Sequence, residues 1–276
     1  MKHVTVLISS TLLSTALLSS PTQCTGIYYS NEAPDILNAK LNNKNTELCY
    51  SSFAVMHSGV SRTPLWSAER LTREGLRSKT RRSNNFHPEE QLSPYERSEL
   101  KDYSHSGYDR GHMAPSADMP TKLAQQECFT LANMVPQNSD NNRGIWAGIE
   151  GATRQLTKNK GELYVITGPL FMGTSVQRIG GRVLIPTKIY KAIYDPATGK
   201  GAAYVVENAP GNDYEVISIT ELEQMSGIRF FPQMKASAKQ TAMNLPEPEV
   251  RNGRSHNTFS DTGIIRLLEK LFKRNW

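Results

Sequence analysis

Cysteine is scarce in this chain. Cys24, Cys49 and Cys128 are the three in 276 residues, and none stands in a CxxC pair. No two histidines share an HxxxH spacing either, so a structural zinc site has little support. Long apolar runs are missing as well. Beyond the first 20 residues no segment approaches the 18 apolar residues that a membrane helix needs, and a soluble mature protein is expected. Acid is in deficit: 26 Asp and Glu face 32 Lys and Arg, leaving a net +6 and a pI near 9.2. Such a balance favours an anionic partner, nucleic acid or a membrane surface. The length allows one large domain or two small ones, and 38% hydrophobic residues suffice for a real core, which argues against global disorder.

Residues 1–20 run from one lysine through an apolar stretch, Val4 to Leu18, into small residues. That is the order of a secretory signal, so a secreted or periplasmic protein is expected and these residues are left out of the fold. In an oxidising compartment Cys24 and Cys49 are candidates for a disulfide, closing a loop of about 25 residues worth roughly 3 kcal/mol. Cys128, in ECFTLAN beside Phe129 and Leu131, reads as a buried apolar thiol.

Alternation around Phe53 and Val55 predicts a strand, with Ser58, Gly59 and Pro64 as turn residues. Arg70 to Arg82 reads as loop. Between Arg62 and Arg82 stand seven Lys or Arg and two Glu, and Ser83 to Asp109 reverses the sign. Glu162 to Thr167 reads as a buried strand, and Arg182–Tyr194 with Ala202–Val206 as a hairpin about DPATGKG. Thr220 with Glu223 has the spacing of a capping box. Strands and helices mix without strict alternation, so the fold class is α+β. The expected organisation is a domain over 21–234, a polar linker or mobile tail over 235–263 and a basic amphipathic helix over 264–276.

Tyr108 to Glu150 holds the candidate chemistry: Asp109-Arg110-Gly111-His112, then Asn133 to Gln137, then Asn142 to Glu150. Hydrolysis of a phosphodiester needs a base for water and a cation for the developing charge. His112 can be that base near neutral pH, provided an acceptor fixes one ring nitrogen. Arg110, two residues away on an extended segment, would share its face and could grip the phosphate. Asn142 can offer a neutral oxygen to a hard divalent ion. Asn142, Trp146, Ile149 and Glu150 would lie on one face of a helix, with Glu150 roughly 12 Å further along its axis and acting through metal-bound water.

DRGH, the LANMVPQ block ending at Gln137 and NxGxWxxxE from Asn142 to Glu150 resemble the DNA/RNA non-specific endonucleases of the ββα-metal class. The resemblance runs from Phe53 to Phe231. It implies a central antiparallel sheet flanked by helices, His112 as general base, Mg²⁺ or Mn²⁺ on Asn142, and Arg110 and Glu150 in support. It assigns Arg62 to transition-state charge and Asn133 to holding the site together. The Asn141-Asn142 doublet leaves two registers, of which Asn142 gives the family spacing to Trp146 and Glu150. The implied activity is metal-dependent cleavage of DNA and RNA with little sequence preference, leaving 5′-phosphates. Arg62, Arg70, Arg73, Arg77, Lys79, Arg81 and Arg82 would grip the backbone. A homodimer is compatible with this reading. The alternatives are a catalytically weak extracellular nucleic-acid-binding protein and, ranked lower, a toxin delivered to competitors.

Overall fold

A computed structural model describes residues 22–78 and 80–250. The expected signal segment, the 264–276 helix, residues 251–263 of the tail and Lys79 lie outside the described residues. In chain order the strands are β1 Asp35–Ile36, β2 Asn45–Cys49, β3 Phe53–Ser58, β4 Thr63–Thr72, β5 Asp109–His112, β6 Met134–Gln137 and β7 Glu162–Leu170. They continue as β8 Arg178–Ile179, β9 Val183–Leu184, β10 Lys188–Asp195, β11 Lys200–Glu207, β12 Glu215–Ile217 and β13 Ile228–Arg229. The helices are α1 Leu100–Tyr103, α2 Lys122–Glu127, α3 Ser139–Arg143, α4 Ile145–Lys160, α5 Ile219–Ser226 and α6 Ala236–Lys239.

Seven strands form an antiparallel sheet in the order β12-β11-β10-β7-β4-β3-β2. Because side chains alternate across a strand, each strand feeds two cores. Leu163, Val165, Ile189, Ile193, Tyr204 and Val206 face α4, where Ile145, Trp146 and Ile149 cover them. Ile166, Tyr190, Ala192, Ala203 and Val205 face the other way, onto Ile219 and Leu222 of α5 and onto Trp66 and Phe230. The same parity carries Ser67, Thr167 and Lys191 to the α4 side, where they stand in register across β4, β7 and β10. A polar row thus crosses an apolar face.

The α+β class and the central antiparallel sheet agree with the sequence reading, and several local details differ. Arg70 lies inside β4, which runs on to Thr72, and is not loop. Pro64 lies inside β4, opposite His57 at the irregularity between Met56 and His57, where its missing N–H breaks no regular ladder. The box of α5 is Ser218 with Glu221, two residues earlier than expected, each side chain satisfying the other's backbone N–H. Glu223 instead holds Lys239 at 2.6 Å. Residues 236–250, read as linker, pack as a strap: Met243 N donates to Gly201 O, Tyr204 Oη to Pro246 O, and Met243, Leu245 and Val250 extend the core under α4.

Cys24 and Cys49 are joined in a disulfide, which ties the N-terminal segment to the edge strand β2, and Cys128 is buried and free. No helix among the described residues is long and apolar enough to cross a membrane. Replacing Cys24 and Cys49 together by Ser should lower stability by roughly 3 kcal/mol in denaturant unfolding; an unchanged midpoint would show that β2 and its neighbours hold the segment unaided.

Candidate active site

The site is built from β5, β6 and α3 in succession. β5 and β6 pair as a two-stranded ribbon, His112 opposite Met134 and Gly111 opposite Val135. A Cβ on Gly111 would lie 2.0 Å from Gln137 Oε1, so glycine between Arg110 and His112 lets the strands close. Arg110 and His112 share a face, as expected, with Phe86 as common neighbour: the guanidinium sits 4.1 Å from that ring's centroid and the imidazole centroid 5.6 Å. Phe129 closes the other side of His112 at 4.9 Å, edge on.

His112 is 8% exposed. Among the described residues no acceptor orients it: Nε2 is enclosed without a hydrogen-bond partner there, and the two phenyl rings flank the imidazole instead. Burial first, then the charges of Arg82 and Arg110, push its pKa down to about 3. The ring is therefore neutral at pH 7, with its lone pair available.

Asn133 is fully buried, and all its polar groups are spent. Oδ1 accepts from Ser67 Oγ at 2.8 Å and from Ala114 N at 2.9 Å, while Nδ2 donates to Ala114 O and Cys128 O. It pins the chain just beyond His112 to the polar row of the sheet.

The doublet separates by environment. Asn141 is buried with Oδ1 accepting from Gln137 and Nδ2 donating to Glu207 O. Asn142 is half-buried, and its Nδ2 donates to Asp109 Oδ2 at 2.9 Å. A carboxylate only accepts, so the amide nitrogen must face it, and Oδ1 is left without a donor among the described residues. A neutral, free carbonyl oxygen beside a carboxylate suits a hard divalent ion. Burial opposes the charge on Asp109, yet hydrogen bonds from Asn142, Arg143 and Ser139 hold its pKa below the ordinary carboxylate range.

The helix expected to run from Asn142 to Glu150 is broken. Gly144, at φ −101° and ψ −108°, ends α3 and starts α4, so Asn142 and Glu150 lie on different helices. Glu150 has its pKa raised by burial to about 7, against the charges of Arg154 and Lys191. Arg154, one turn on, bonds Asp118 at 3.1 Å and lies 4.0 Å from Glu150.

Arg62 does not join this group. Its Nε and Nη2 donate to Tyr95 O and its Nη1 to Arg182 O, and the charges acting on it are Arg182, Asp102, Arg178 and Glu96. The arginine that fold and charge bring to His112 and Glu150 is Arg82, stacked 4.9 Å over Phe129. Elsewhere in the basic segment, Arg70 pairs with Glu162 and Arg73 donates to the carbonyls of Lys158 and Asn159. Arg77 and Arg81 stay exposed.

Beneath α4 lie groups that the sequence reading passed over. Lys191 is 1% exposed, donates to Thr167 Oγ1 at 2.7 Å and faces the Trp146 ring. Glu69 is equally buried, and neither carboxyl oxygen has a partner among the described residues. Burial and then Asp118 hold its pKa well above the ordinary range. Alternation is the signal that could have found them: each sits in phase with apolar residues facing α4.

The sequence profile of the DNA/RNA non-specific endonucleases matches residues 34–237. The chain belongs to that family. It is 35% identical over 208 residues to the mitochondrial nuclease EXOG of Danio rerio, a match that covers 67% of this chain and 61% of the relative. It is 33% identical over 208 residues to mitochondrial endonuclease G of Bos taurus, covering 68% of this chain and 70% of the relative. The chain thus spans about three-fifths of the length of its EXOG relatives. In structure it resembles EndoG as crystallised with EndoGI, with a TM-score of 0.65 at 30% identity over 71% of this chain and 89% of that one. That likeness and the β5-β6-α3 unit are the ββα-metal fold.

A raised carboxyl pKa favours the folded state below the unfolded value of 4.5 and loses that advantage as pH rises. Glu69→Gln should therefore leave the melting temperature near wild type at about pH 4 and raise it increasingly toward about pH 8. A variant less stable at the higher pH would mean that Glu69 is ionised beside Lys191.

Proposed function

We propose that this protein is a metal-dependent endonuclease that hydrolyses phosphodiester bonds of DNA and RNA with little sequence preference. The observation that carries this reading is the neutral His112 flanked by Arg82 and Arg110, on a ribbon that leads directly to the free Oδ1 of Asn142. Arg82 and Arg110 bind the scissile phosphate by its non-bridging oxygens. His112 takes a proton from water at Nδ1, the ring nitrogen that is not sealed in. The water oxygen attacks phosphorus in line, the bond to the 3′ oxygen breaks, that oxygen takes a proton from a second water molecule, and a 5′-phosphate and a 3′-hydroxyl result. A Mg²⁺ or Mn²⁺ ion on Asn142 Oδ1 would supply Lewis-acid neutralisation of the phosphate and the leaving oxygen.

Asp109 orients the Asn142 amide by accepting from its Nδ2. Glu150, braced by Arg154, orients water on the far side of the site. Asn133 acts through the backbone, holding the segment after His112. The signal-like first 20 residues and the Cys24–Cys49 disulfide support a secreted or periplasmic location.

Purified protein with Mg²⁺ should degrade supercoiled plasmid, and His112→Ala should slow this by orders of magnitude; retained cleavage would remove His112 as the base. EDTA should abolish cleavage and added Mn²⁺ restore it, whereas activity that survives chelation would sink the role of Asn142. Arg82→Ala should lower kcat about a hundredfold, with Arg62→Ala well short of that. The reverse order would return the charge-stabilising role to Arg62. Band retardation without degradation would favour the weak-binder alternative.

A further inference from the structure

Tyr95 leaves 83% of its surface in water, more than any other large apolar side chain among the described residues. Its loop is nevertheless held tightly. Arg62 donates twice to Tyr95 O, Arg182 donates to the carbonyls of Arg97 and Pro94, and His57 Nε2 bonds Glu96 O at 2.9 Å. Asp102 fixes Arg182 in turn at 3.1 Å. A bare ring on a clamped backbone has already met most of the ordering cost of binding.

The ring lines a cleft with Pro94, Leu100, Lys101 and Arg182. A second cleft, lined by Leu100, Tyr108, Asp109 and Arg110, meets the first at Leu100 and ends on the strand that carries His112. The acids along this path are spent within the protein: Glu96 on Lys44, Glu99 on Arg97, Asp102 on Arg182 and Asp109 on Arg143. Lys101 forms no ion pair with any described residue. Nor does Arg178, whose charge acts on Arg62 beside the loop. The uncompensated charge along the path is therefore positive.

We propose that this trough binds a single-stranded stretch of nucleic acid running out from the scissile phosphate, with one base stacked on Tyr95 and backbone phosphates beside Lys101 and Arg178. The assignment rests on the endonuclease reading above. A ring standing alone in solvent can stack only on a base that is not already stacked in a duplex, which selects an unpaired strand. Arg62 thereby takes a positioning role, holding the platform.

The test is fluorescence anisotropy in EDTA, where the strand stays intact, with a labelled thymidine oligomer of about 12 nucleotides and its abasic counterpart. Wild type should bind the base-bearing strand about tenfold more tightly. Tyr95→Ala should erase that preference and Tyr95→Phe keep it, both with unchanged melting temperature because the ring is exposed. Lys101→Glu with Arg178→Glu should weaken both strands and reduce the slope of log affinity against log salt by about 2. A wild type that does not discriminate, or a Tyr95→Ala variant that still does, overturns the subsite. Plasmid degradation with Mg²⁺ is scored separately: cleavage without base discrimination removes the subsite alone, and base discrimination without cleavage removes the endonuclease reading and leaves the subsite standing.

Discussion

An ammonium group buried under a helix sets the terms for this structure. Lys191 sits on the α4 side of the sheet at a position where alternation calls for an apolar residue, and a charge there must be answered locally. Thr167 takes its hydrogen bond, Trp146 offers a ring face, and Glu69, Asp118 and Glu150 supply carboxyls whose own burial pushes them toward the neutral form. Arg154 completes the group. The polar row Ser67, Thr167, Lys191 is then the floor of the site. Ser67 passes the connection to Asn133, and Asn133 passes it to the backbone beyond His112. The β5-β6 ribbon, which among the described residues pairs with no strand of the main sheet, is registered to that sheet by hydrogen bonds of side chains.

The electrostatics of His112 follow from what surrounds it. Two arginines that would hold a phosphate also disfavour a proton on the ring while the phosphate is away. A bound phosphodiester, with its single negative charge, would cancel part of that field, so His112 in the proposed role of base would gain proton affinity once substrate is beside it. Asp109 follows the opposite logic. Its charge is stabilised by Asn142, Arg143 and Ser139, and it stays a pure acceptor that keeps the Asn142 oxygen turned outward.

Alternation and turn chemistry made most of the sheet legible: Phe53 and Val55, Glu162 to Thr167 and the hairpin about DPATGKG are all strands of one sheet. The disulfide was legible as an isolated cysteine pair flanking a polar segment, and the shared face of His112 and Arg110 as spacing along an extended segment. Arg62 stands apart from His112 because neighbourhood in the chain is not neighbourhood in the fold: β4 carries the chain across the sheet before it returns at Arg82. The break at Gly144 was hidden because a glycine inside a helical period is silent about its dihedrals. Glu69 and Lys191 were passed over because a charged residue in a strand reads as facing solvent unless its phase is checked against both neighbours. The polar composition of 236–250 suggested a loose tail, while a few apolar side chains and backbone hydrogen bonds suffice to dock it.

That strap has a consequence for how the protein can vary. A Cβ on Gly148 would approach Glu249 O to 2.9 Å and Pro248 Cβ to 3.1 Å, on the same helix as Glu150. A side chain at this position would have to displace the strap from the helix. Residues 248–249 and α4 thus constrain each other at a position two residues from Glu150.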